Sequence, residues 1–102
     1  EGRITDCLLT PDGRRLIVHW FTYLFEFIPQ VSQFQLIQRS INKITLLLVV
    51  NNDFNHIKDL DQIINSIKQY IGNGITINHK IVDEIPLTKL GKRRFILNMI
   101  DK

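Results

Sequence analysis

Ile44-Thr45-Leu46-Leu47-Leu48-Val49-Val50, broken by Asn51-Asn52-Asp53 and followed by Ile57-Lys58-Asp59-Leu60-Asp61-Gln62-Ile63-Ile64-Asn65-Ser66-Ile67-Lys68-Gln69-Tyr70-Ile71, decides the fold. The first run is almost wholly apolar, as a central strand covered on at least one face must be. In the second, Ile57, Leu60, Ile63, Ile64, Ile67 and Ile71 form one apolar stripe at helical spacing. Asn55 is placed to cap the start of this helix, Asp59 and Asp61 lie near its positive end, and Gly72 or Gly74 stops it. Beyond it, Ile75, Ile77 and Ile81 alternate with polar residues as a strand that ends near Ile85-Pro86.

Toward the N-terminus, Gln33 to Arg39 reads as a strand joined to Ile44–Val50 by a polar turn at Ser40 to Lys43. Trp20 to Ile28 predicts a short helix, with Phe21, Leu24, Phe25 and Ile28 on one face and Pro29 ending it. Ile4 to Thr10 and Arg14 to His19 read as two strands around Pro11-Asp12-Gly13, where Gly13 supplies the positive φ that closes a hairpin. The order is hairpin, helix, strand, strand, helix, strand, tail. It predicts an α+β, ferredoxin-like small domain, with a mostly antiparallel sheet and both helices on one face. Such a fold hosts many functions, so function has to come from particular residues.

At 102 residues, 44% hydrophobic and 23% charged, the chain suits one domain with a real core and not a disordered segment. The net charge of +3 is modest, and the basic residues cluster only at Arg14-Arg15 and from Lys89 to Arg94. The single Cys7 cannot form an internal disulfide, which fits a reducing, cytoplasmic setting. His19, His56 and His79 are scattered without metal-ligand spacing, so no metal site is expected. The longest apolar run, Leu46 to Val50, is too short to span a bilayer, and no secretory signal opens the sequence. The start at Glu1-Gly2-Arg3 lacks an initiator Met, and the chain reads as a C-terminal piece of something larger.

Near the other end, Leu87-Thr88-Lys89-Leu90-Gly91-Lys92-Arg93-Arg94-Phe95 holds four cations around one glycine. Gly91 frees the backbone to turn or approach a ligand, and Lys92 carries a mobile ammonium suited to a phosphate or a developing negative charge. The plain alternative is a solvated basic tail.

Two motifs at opposite ends belong together. Gly2-Arg3-Ile4-Thr5-Asp6 resembles the hinge motif of adenylate-forming enzymes, and Leu90-Gly91-Lys92-Arg93-Arg94 resembles the C-terminal motif of that superfamily. The chain between them is similar in size and pattern to the superfamily's mobile C-terminal domain. The likeness is greatest to the phenylacetate–coenzyme A ligase-like branch. Gly2 to Asp6, Thr10 to Arg14 and Phe34 to Gln38 look most like its subset associated with capsular polysaccharide biosynthesis.

The resemblance implies a lid spanning 1–102, with hinge and hairpin at 1–20 and a core at 21–102 that carries the catalytic-lysine loop at 86–95. It also implies a larger N-terminal ATP-binding domain outside this chain as its partner. The reaction implied activates a small carboxylate as an acyl-adenylate with ATP and Mg²⁺, then passes the acyl group to an acceptor. Under the resemblance Lys92 is the catalytic lysine, Asp6 the hinge, Arg3 a nucleotide contact and Gly91 the loop's support. Coenzyme A stays open as acceptor, because the stretch from Pro11 to Phe21 departs from the pattern of the thioester-forming enzymes. This domain alone is expected to be inactive.

Each residue keeps a plainer reading. Lys92 sits among like neighbours in a solvated loop, Asp6 can turn or cap the incoming strand, and Arg3 can simply face water. The rival function is a small basic module that binds RNA or another polyanion through Arg14, Arg15 and Lys89 to Arg94. It calls for aromatic residues on an open sheet face, whereas Trp20, Phe21, Tyr23, Phe25 and Phe27 fall in the first helix. A purely structural oligomerisation domain is the third reading.

Overall fold

Alternation along two long strands sets the layers of this protein. The computed structural model describes residues 7–72, 74–86 and 95–100. Within them the elements are β1 (Cys7–Leu9), β2 (Arg15–Ile17), α1 (Val18–Glu26), β3 (Val31–Ser40), β4 (Lys43–Val50), α2 (Lys58–Ile71), β5 (Thr76–Ile81) and β6 (Ile96–Asn98). This is the expected α+β class, with the α-β-β-α-β order of a ferredoxin-like core following a hairpin.

β3 and β4 pair antiparallel, with Phe34 opposite Leu48, Leu36 opposite Leu46 and Gln38 opposite Ile44. These six side chains share one face of the sheet, because alternate residues of a strand point the same way. All six are buried, and Leu36, Leu46 and Leu48 are wholly so. Burying each such leucine contributes about 1.5–3 kcal/mol. The helices cover this face. α2 presents Ile63, Ile67 and Ile71, and α1 presents Phe21 and Phe25, all to the same core. Trp20 of α1 lies flat on Tyr70 of α2, ring centroids 4.0 Å apart, so the two helices lie side by side on one face.

The four-stranded sheet runs β5-β4-β3-β6. Its central pair is antiparallel and both outer pairings are parallel, which makes it mixed. The β4–α2–β5 crossover explains one of these. A helix that returns over the sheet delivers the next strand parallel to the last, and β5 sits beside β4 with Ile44 opposite Ile77. β6 explains the other. The segment expected to be a tail adds a strand of three residues beside β3, with Leu36 opposite Ile96.

Local chemistry accounts for the boundaries. α1 runs over Val18–Glu26, two residues earlier than the spacing suggests. Its last turn tightens through Phe27 N to Leu24 O (3.2 Å) and Ile28 N to Phe25 O (3.1 Å) before Pro29 stops it. At the start of α2, Asn55 Oδ1 accepts from the amides of Ile57 (2.9 Å) and Lys58 (2.8 Å), so Asn55 caps the helix as expected. The Asp59 carboxylate reaches back to the Asn55 amide at 2.9 Å, which makes the cap reciprocal. Gly72 ends the helix at φ +88° and ψ −171°. No helix among the described residues is long and apolar enough to cross a membrane.

Candidate functional site

β1 and β2 form the expected hairpin, with Leu8 opposite Leu16 and Gly13 at φ +92°. Its tip is held by Thr10, whose hydroxyl donates to the Asp12 carboxylate and accepts from the Arg14 amide at 2.9 Å. The Thr10 hydrogen bond, helped by the Arg14 guanidinium 3.2 Å away, keeps the Asp12 carboxyl below its ordinary value.

The hairpin is fastened to the rest of the chain by polar contacts that reach across the sequence. Gln38, wholly buried on the helix-covered face of β3, pairs with the backbone of Leu9 in both senses. Its Oε1 accepts from the Leu9 amide at 2.8 Å, and its Nε2 donates to the Leu9 carbonyl at 2.7 Å. The carboxamide thus imitates the edge of a neighbouring strand. Asn98 of β6 donates from Nδ2 to the Cys7 carbonyl at 3.0 Å. Arg14 donates from Nη2 to the Ile71 carbonyl at 3.1 Å, satisfying an orphan acceptor at the end of α2.

Arg3, Asp6, Gly91 and Lys92 all lie outside the described residues, as does the 87–94 stretch of the expected catalytic loop. Their flanks are described, and the fold brings those flanks together. Cys7, which follows Asp6, opens β1. Phe95, which follows the basic loop, leads into β6, and its carbonyl accepts from the Leu36 amide at 2.8 Å. Phe95 stacks on Phe34 at 5.1 Å, and Phe34 stacks on Phe25 at 4.3 Å. The Asn98–Cys7 bond joins the two flanks across 91 positions of sequence.

Sequence reasoning missed Gln38 and Asn98 as the fasteners. One signal was present: Gln38 follows Phe34 and Leu36 at the same parity, a polar residue where the pattern asks for an apolar one.

The rest of the described surface holds less chemistry. His19, His56 and His79 are exposed, and among the described residues no three His, Cys, Asp or Glu side chains gather as metal ligands would. Of the basic pair, Arg14 is engaged by Asp12 and the end of α2, and Arg15 is exposed. The sheet face turned away from the helices carries Gln33, Gln35, Ile37, Thr45, Leu47 and Val49, and no aromatic side chain among the described residues. A shallow groove of about 340 Å³ lies between the helices, bordered by Trp20, Tyr23, Phe27, Ser66, Gln69 and Tyr70.

These features define a small α+β domain in which the hairpin is sealed to β6, the first and last strands among the described residues. The family model of the CapK C-terminal domain matches residues 8–99, and the chain belongs to that family. The match fits a C-terminal domain of capsular polysaccharide biosynthesis proteins. Comparison with curated proteins and with solved structures gave no match to either.

Proposed function

We propose that this domain is the mobile lid of an ATP-dependent, adenylate-forming ligase that works in capsular polysaccharide biosynthesis in the cytoplasm. The observation that carries the reading is the meeting of the two flanks. Residues 2–6 resemble a hinge and residues 90–94 a catalytic-lysine motif, and Cys7, which borders the first, is hydrogen-bonded to Asn98 at the end of the strand that follows the second. Membership of a C-terminal domain family supports a larger preceding domain that binds ATP and the carboxylate.

In this reading Lys92 reaches that domain and holds positive charge where the carboxylate attacks the α-phosphate. Charge preorganised at the point where negative charge develops lowers the barrier. Gly91 gives the loop its freedom, Arg3 contacts the nucleotide, and Asp6 absorbs the rotation that separates adenylation from transfer to the acceptor. Coenzyme A is one acceptor the reading allows. Mg²⁺ would enter with ATP on the preceding domain.

The engaged Arg14 and the lack of aromatics on the described far sheet face weigh against a polyanion-binding module. The deciding experiment is ATP–pyrophosphate exchange by the full-length protein carrying Lys92→Ala. A fall of about 10²–10³-fold is expected. Exchange at the wild-type rate takes Lys92 out of the mechanism and the lid reading with it.

A further inference from the structure

We infer that Gln38 is a positioning residue that welds the N-terminal hairpin to the sheet, so that hairpin and sheet move as one body. This inference rests on the lid reading above and adds to it the part that transmits the motion. β1 begins at Cys7, directly after the residue that the lid reading assigns as hinge. A hairpin of three-residue strands has few ladder hydrogen bonds of its own, and an isolated two-stranded hairpin is marginal in water. Left free, it would bend wherever it met the core, and rotation at the hinge would be dissipated in the hairpin.

Three contacts prevent this, each to a different element. Gln38 holds the Leu9 amide and carbonyl at 2.8 and 2.7 Å from β3, Asn98 holds the Cys7 carbonyl at 3.0 Å from β6, and Arg14 reaches Ile71 of α2 at 3.1 Å. Gln38 is the central one. It is wholly buried, it bonds both the amide and the carbonyl of one residue, and Asn98 Nδ2 approaches its Oε1 at 3.4 Å. A buried amide with both ends satisfied tolerates little displacement, because moving away strands a donor and an acceptor away from water. Core apolar contacts of Leu8 and Leu16 add attraction but little direction, since hydrophobic burial is non-directional. The amide supplies the register.

The test uses Gln38→Met, which keeps the bulk and removes both hydrogen bonds, and Asn98→Ala, a milder variant at a half-buried position. In the 102-residue chain, amide hydrogen exchange at Leu9 should accelerate about 10- to 100-fold in Gln38→Met, while the β3–β4 amides keep their protection. Unchanged protection at Leu9 in both variants overturns the inference.

In the full-length protein, Gln38→Met should lower kcat for pyrophosphate exchange about tenfold and leave KM for ATP unchanged, at temperatures where the variant is fully folded. A loosened hairpin with undiminished exchange also overturns the positioning role. Lys92→Ala measured in parallel separates the two ideas. If it leaves exchange unchanged, the lid reading has failed independently of the Leu9 result. If it abolishes exchange and Gln38→Met does not lower it, only the present inference has failed.

Discussion

Gly72→Ala is the substitution for which two physical arguments give opposite signs. Replacing glycine by alanine restricts the unfolded chain, and where the native backbone suits alanine this stabilises by about 0.4–1 kcal/mol. Gly72, however, sits at φ +88° and ψ −171°, a region that essentially only glycine occupies. Holding an L-residue there costs about 1–3 kcal/mol. Space is not the obstacle. A Cβ added at Gly72 would meet Arg14 Nη2 at 3.5 Å, an ordinary contact, so the guanidinium keeps its bond to the Ile71 carbonyl.

The backbone term therefore decides, and the expected result is destabilisation by about 1–3 kcal/mol, at about 4–8 °C in Tm per kcal/mol for a domain of this size. Urea unfolding followed by fluorescence of the chain's single tryptophan measures it, since Trp20 stacks on Tyr70 across the α1–α2 contact. Stability equal to or above wild type would show that the helix end relaxes freely, and the reasoning would fall.

Two further expectations use the same assay. Asn55→Ala removes the acceptor for the Ile57 and Lys58 amides and should destabilise by about 0.5–2 kcal/mol; an unmoved urea midpoint would mean α2 needs no cap. Asp12 has a folded pKa lowered from 3.8, chiefly by the Thr10 hydroxyl, so its contribution is present above 3.8 and lost as pH falls through the folded value. The stability gap between wild type and Asp12→Asn should accordingly be constant near neutrality and close in acid, and a gap that widens in acid contradicts the assignment.

What could be read from residues was periodic or local. The isoleucine stripe of α2, the Asn55 cap and the Pro11-Asp12-Gly13 turn are encoded within a few positions of one another, and each stands where its spacing put it. The start of α1 shifted because Val18 and His19 fit a helix or a strand equally well by pattern, and the hairpin's end fixed the choice. β6 was invisible for a different reason. Three residues carry no period, and Ile96–Asn98 is a strand only because β3 offers it an edge.

The fasteners are non-local in the same way, since nothing near Gln38 in sequence names Leu9 as its partner. The candidate site was legible only as a resemblance at Arg3, Asp6, Gly91 and Lys92, and those positions fall outside the described residues.

The bond from Asn98 to Cys7 also bears on how the chain is made. It closes a circuit of 91 positions, whereas the β3–β4 pair closes across the turn at Ile41-Asn42. Chain closure over that length carries an entropy cost of about 4 kcal/mol, so this contact is favourable only after the sheet exists to hold both partners. On a ribosome Cys7 emerges 91 positions before Asn98, which leaves the hairpin without this bond until β6 follows. A chain cut short before Ile96 would lose both β6 and the Asn98–Cys7 bond, and the hairpin would then be held by Gln38 and Arg14 alone among these polar contacts.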